Sequence, residues 1–313
     1  MTKEPALTPI APATRGDEYK QLLDQAKKLE HLTIWFMISV VILMYLVAGN
    51  SQSMKTALLE DILSIIPPTA FLLGTRIAAK KPTPWFCFGF HRASLIAYLA
   101  ASLALLALGT FAAIDSSLTL IQAHRPTLGS LVIGEQVIWQ GWVMLIVIAY
   151  SAIPPVFLGR KKEKLARKLD DSTLMADAAT NKADWLTGAA AAAGVIGVGL
   201  GLWWSDAVMA LLISLDIVRD GTVYLRNALG ALMDRAPSSI EDPDTPHQII
   251  RKVRDFLSES DDIEVHELRI RSMGRYFTGH AVVSRNSANL TTQLNEEFPE
   301  LEAFTISTHH TRG

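Results

Sequence analysis

Cysteine is nearly absent: Cys87 is the only one in 313 residues. That excludes an intramolecular disulfide and a cysteine-rich zinc module. No glycine-rich phosphate loop, no cofactor motif and no nucleophile with a plausible base is present, so an enzyme finds little support. Charge is missing where soluble proteins carry it, since Trp185 to Trp204 contains no ionisable acid or base. A cleavable secretory signal is also excluded as a reading of the first apolar block. About thirty mostly polar residues precede that block, and no small-residue cleavage pattern follows it. The formal net charge of -2 by itself says nothing about partners; no nucleic-acid partner is expected.

Half of the residues are hydrophobic, and they gather into blocks, the mark of a polytopic membrane protein in contact with the lipid bilayer. Six blocks are long enough to span: Leu32 to Gly49, Ala57 to Ala79, Ser94 to Ala123, Val137 to Leu158, Ala183 to Trp204 and Ala207 to Met233. Basic residues collect before the first span (Lys20, Lys27, Lys28), between the second and third (Arg76, Lys80, Lys81, Arg92), and between the fourth and fifth (Arg160, Lys161, Lys162, Lys164, Arg167, Lys168). The alternate loops hold almost none. By the positive-inside bias, both termini are cytoplasmic.

The expected organisation has four parts. Residues 1–30 form a cytoplasmic N-terminal segment, with an amphipathic helix over 16–30 lying on the membrane face. Residues 31–236 make the six-helix transmembrane domain, 237–246 a Ser/Asp/Pro linker, and 247–313 a small cytoplasmic α+β domain. In that last domain, His247 to Glu259 reads as a helix, Glu264 to Ser272 and Tyr276 to Ser284 as a hairpin, Thr291 to Phe298 as a short helix and Phe304 to Thr308 as a final strand. Its apolar content is thin, so a partner surface is expected to support it.

Asp177 and Asp184 stand seven residues apart, on one helical face with Thr180 and Asn181 between them. Burying an ionisable group in a span costs at least ~2.5 kcal/mol, which makes such groups candidates for an ion or proton pathway. The second span holds Glu60 and Asp61, and Asp61 shares a face with Ser64. Pro67 and Pro68 remove two backbone donors and free the carbonyls of Leu63 and Ser64. Carbonyl oxygens beside a carboxylate suit a hard cation, although the same prolines also fit a kink used only for packing. Ser151-Ala152-Ile153-Pro154-Pro155 in the fourth span echoes Ser64 to Pro68, as matched broken helices would.

This order of parts resembles the cation diffusion facilitators. The resemblance is carried by Ser51-Gln52-Ser53, Phe88-Gly89-Phe90-His91-Arg92-Ala93, Ala176-Asp177 to Asp184, Ser205-Asp206-Ala207, Leu232-Met233-Asp234-Arg235-Ala236 and Val265-His266-Glu267-Leu268. It implies a divalent metal efflux transporter driven by proton antiport, with six spans, a ferredoxin-like (αββαβ) cytoplasmic domain, a homodimeric assembly and a place in a bacterial inner (plasma) membrane. It also implies a charge interlock between Arg92 and Asp234 that holds the dimer. The family's tetrahedral zinc site uses His or Asp followed four residues on by Asp in spans two and five. Here Asp184 matches the second ligand of span five, but Thr180 replaces the first, and Ser64 and Pro68 stand at the matching positions of span two.

Zinc favours nitrogen and sulfur. An oxygen set of Asp61, Ser64, Asp177, Asn181 and Asp184 suits manganese, ferrous iron or magnesium better, with zinc and cobalt left open. Asp177 and Asp184 lie about 10 Å apart along a straight helix. The expectation is therefore Asp61 with one of them at the site and the other on the access path. Carboxylates released from metal take up protons, which couples the two fluxes. In the tail, His266, His280 and His309 are candidate metal ligands; His266 and His280, on paired strands, match positions of a regulatory metal site in the resembled domain, whereas Ser307 replaces its last-strand histidine and His309 stands two residues on. Cys87 and His91 share a loop and offer weaker ligands, and His247 reads as a surface residue. The alternative function is a non-transporting member that acts as a dimer partner or metal-sensing regulator.

Overall fold

The computed structural model describes residues 16–48, 61–86, 88–122, 130–133, 136–199, 202, 204–240, 245–259, 263–285, 290–302 and 304–308. Glu60, Cys87 and His309 lie outside the described residues. The helices are α1 (Asp17–Ala48), α2 (Ile66–Ala78), α3 (Ala93–Ile121), α4 (Gln140–Leu169), α5 (Ser172–Gly199) and α6 (Ser205–Leu232). A short hairpin of β1 (Ser130–Ile133) and β2 (Gln136–Trp139) precedes α4. The tail follows as α7 (Gln248–Glu259), β3 (Val265–Ser272), β4 (Phe277–Val283), α8 (Leu290–Glu297) and β5 (Thr305–Thr308).

Among the described residues, three helical stretches are long and apolar enough to cross a bilayer: Asp17–Tyr45, Asp61–Ala78 and Ala93–Ile121. With α4, α5 and α6 they pack into one bundle. Small residues let these helices approach closely. A Cβ on Gly109 or Gly221 would press 2.8 Å from Ile217 or Leu106 at the α3–α6 crossing, and one on Gly188 would lie 2.5 Å from Ala152 between α4 and α5.

Four local expectations differ from the structure. The surface helix over 16–30 and the first span are one helix, α1, so the boundary at residue 30 falls inside it. Its apolar face packs on protein, because Ala26 joins a core with Phe71, Ala166, Leu169, Leu174 and Met175, and Tyr19, Leu22 and Leu23 lie against that core. The helix of the expected fourth span begins at Gln140 rather than Val137, since Val137 to Trp139 pair as strand β2. Arg160 to Lys168 form no loop but the last turns of α4. Finally, only one of the two Pro-Pro segments breaks its helix. Pro67 and Pro68 open α2 after a turn at Ser64–Ile65, whereas Pro154 and Pro155 sit inside an unbroken α4 that is held against α5 at Gly188.

The tail has the order αββαβ, with a three-stranded sheet in the order β3-β4-β5. β3 and β4 are antiparallel and β5 runs parallel to β4. Ile249, Val253 and Leu257 of α7 pack with Ile270, Phe277, Ala281, Val283, Leu290 and Leu294 in its core.

The β3–β4 turn presses into the helical bundle. Gly274 at its tip has φ +89, and a Cβ there would meet Ser94 at 2.8 Å. Next to it, the buried Arg275 guanidinium bonds Asp171, donates to Thr75 Oγ1 at 2.6 Å and lies over the Phe71 ring, 5.1 Å from its centroid. Burial disfavours that cation, yet the Asp171 carboxylate holds it charged, above its ordinary range. Asp171 also accepts from the backbone N–H groups of Thr173 at 2.9 Å and Leu174 at 3.0 Å, which caps α5. His247 is part of the same seam rather than a free surface residue. Its Nδ1 accepts from Ile249 N at 3.2 Å, and Nε2 points to Asp170 at 2.9 Å.

Removing one partner of such a buried pair costs about 3–5 kcal/mol. Arg275→Ala is expected to lower the thermal unfolding midpoint of the detergent-solubilised protein clearly. Arg275→Lys, which keeps charge without the planar fork, should recover part of the loss.

Candidate functional site

The break in the second apolar segment sets the site's geometry. Asp61 to Leu63 make one helical turn, the chain bends at Ser64–Ile65, and α2 restarts with prolines in its first turn, where missing N–H groups cost little. The bend brings buried Ser64 to α5, where its hydroxyl donates to Asp184 Oδ1 at 2.7 Å. Asp61 lies close enough to Asp184 for the two carboxylates to repel each other. Asp61 Oδ2 is buried without a hydrogen-bond partner. Ser64 thus bonds one acid while a second lies within electrostatic reach with an acceptor unsatisfied, an arrangement that a cation resolves. Asp184 lies twelve residues into α5, about 18 Å along a helix at 1.5 Å per residue.

Asp177 is elsewhere. It is fully buried, and its Oδ2 accepts from Lys162 Nζ at 2.6 Å. Glu30 of α1 reaches the same ammonium at 2.9 Å, close enough for an ion pair although not aligned as a hydrogen bond. Asn181 Nδ2 donates to the Asp177 carbonyl at 3.0 Å, while Thr180 bonds the Ala176 carbonyl at 3.2 Å. The structure therefore joins Asp61, Ser64 and Asp184, and sets Asp177 and Asn181 into a second group with Glu30 and Lys162. Among the described residues, no three of His, Cys, Asp and Glu converge as a metal cluster.

Glu30 and Lys162 were not singled out from the sequence. Lys162 sits in a run of basic residues that reads as solvated surface, and its neighbours Arg160, Lys161, Lys164, Arg167 and Lys168 are exposed. The available signal was helical phase: on an unbroken α4 Lys162 lies one turn from the buried Leu158 and from Ala166, hence on the inner face. Lys182 points away from both groups, 3.6 Å from Asp216 and from Asp220 of α6, in a half-exposed cluster.

At the tail-bearing end, Asp234 takes Arg92 of the α3 entrance and Arg271 of β3, the latter at 2.7 Å, all within one chain. His91 Nε2 faces Glu302 at 3.3 Å. His280 has both ring nitrogens beside hydroxyls, with Nδ1 2.9 Å from Thr305 and Nε2 3.0 Å from Ser307. A metal ion there would have to displace one of them. His266 is exposed at the β3 irregularity.

Residues 32–233 match the family model described as the cation efflux transmembrane domain. The manganese efflux system protein MneS of Bacillus subtilis is 25% identical over 239 residues, covering 76% of this chain and 77% of the relative. The uncharacterized transporter YdbO of the same organism is 25% identical over 208 residues, covering 66% of this chain and 67% of the relative.

Hydrogen bonds to charged groups contribute about 1.5–3 kcal/mol. Ser64→Ala, which removes the donor from buried Asp184, should therefore lower the thermal unfolding midpoint of the detergent-solubilised protein measurably. Ser64→Thr, which keeps the hydroxyl, should not.

Proposed function

The chain belongs to the cation efflux family, an integral membrane family of metal cation transporters, and we propose that it exports manganese in exchange for protons. The observation that carries this reading is the Asp61–Ser64–Asp184 group: three oxygen side chains, one acid oxygen unpartnered, from the segment just before α2 and from α5. Hard oxygen donors without imidazole or thiolate suit manganese over zinc, and one similar protein is named a manganese efflux protein. Ferrous iron, magnesium, cobalt and zinc are the competitors to test.

The coupling follows from electrostatics. Two carboxylates close together repel when the metal leaves, and uptake of a proton relieves that repulsion. In this reading six spans place both termini in the cytoplasm of a bacterial cell, and the αββαβ tail is ferredoxin-like. Metal would then enter from the tail-bearing end. Two chains associate, with Arg92 and Asp234 near the junction of bundle and tail. A non-transporting, metal-sensing member is the second reading. It is favoured by the absence, among the described residues, of a third acid or histidine at the pair.

Reconstituted proteoliposomes with a manganese-sensitive dye and a pH dye decide between these readings. The wild type should move manganese with opposite proton flow, and Asp184→Ala and Asp61→Ala should each lower the initial rate at least a hundredfold. Flux of none of the five metals would exclude transport. Normal flux in both variants would exclude this site.

A further inference from the structure

Two turns from Asp184 on the same helix, the second group has an unusual balance. Glu30, Lys162, Asp177 and Asn181 come from three helices and are all buried. The first three are fully enclosed, so two carboxylates confront a single ammonium. The surplus lies in acceptors. Glu30 Oε1 and Asn181 Oδ1 are buried without a hydrogen-bond partner. Asn181 cannot readily turn to mend this, because its Nδ2 is held on the Asp177 carbonyl and Gly159 of α4 packs on its Cβ, leaving only 3.1 Å for any added carbon. Buried acceptors without donors are what a bare cation satisfies.

The cation present is one that can leave. Lysine is a compact charge on a flexible stem, unlike the planar fork of arginine. Lys162 hangs from the end of α4 where Lys161, Lys164, Arg167 and Lys168 already face solvent. Asp184 in turn feels the charges of both Asp177 and Lys162, so the two groups belong to one field along α5.

On the reading of Asp61 and Asp184 as the central site, we propose that Glu30, Asp177 and Asn181 form a second cation subsite on the tail-bearing side, with Lys162 as a tethered stand-in that an entering divalent metal ion displaces. The ion then passes along α5, by way of Asn181, to Asp184. Lys162 thereby offsets one of the two acid charges between passages.

The test uses full-length protein in detergent and manganese itself, with free Mn2+ read by its paramagnetic resonance signal. Asp184→Ala removes the central site and isolates the subsite. In that background Lys162→Met should tighten manganese binding at least tenfold, and Glu30→Gln should weaken it at least tenfold. Absence of binding in Asp184→Ala, or an affinity indifferent to both changes, would overturn the proposal. Lys162→Arg guards against misfolding, because it keeps the charge. It should preserve manganese binding at the central site yet lower proteoliposome flux at least tenfold, and wild-type flux from it would also overturn the subsite. If Asp184→Ala itself transports normally, the central-site reading fails, while the binding titrations still judge the subsite.

Discussion

The contact of Lys162 Nζ with the carboxylates of Glu30 and Asp177 ties α1, α4 and α5 at a point where each helix would otherwise carry an unpaired charge into apolar surroundings. The desolvation of three ions at one place is expensive, and their mutual attraction offsets it only in a fixed geometry. That constraint explains why α1 does not stop at residue 30 to lie on a surface: Glu30 has to arrive at Lys162, and the turns before it pack on Phe71 and Leu174 as a result. It also explains why the basic run at the end of α4 stays helical, since only helical phase turns Lys162 inward while its neighbours point out.

With Asp177 neutralised in this way, the remaining acids of the bundle divide by partner. Asp184 is met by a hydroxyl and a second acid, neither of which supplies a positive charge. Asp216 and Asp220 share Lys182 at longer range, partly in contact with the exterior, where such pairs contribute little. Of these five acids, Asp61 and Asp184 are the two with no lysine or arginine within ion-pair distance among the described residues.

Much of this was legible in the sequence. The bundle and the αββαβ tail follow from blocks and alternation, and the family from short segments spread along the chain. Ser64 could be paired with Asp61 because three residues make nearly one turn. Its bond to Asp184 required knowing which helices meet. What stayed hidden was the inward turn of one lysine within a charged run, because charge content signals solvent while helical phase decides direction. Arg275 was hidden for a related reason. A hairpin turn with an arginine reads as solvated, and only the docking of the tail turns it into a buried contact. The two Pro-Pro segments look alike in sequence, but one opens a helix and the other is carried through, so proline alone does not specify a break.

Asp171 holds the N-terminus of α5 with one carboxylate oxygen and the tail's Arg275 with the other. Those two residues are 104 positions apart in the chain. Synthesis runs from the N-terminus, so α5 enters the bundle with its capping acid already made but the matching guanidinium still to come. The acid that caps the first turn of α5 is thus also the acid that receives the tail, so the start of that helix and the seat of the last domain are fixed by one side chain.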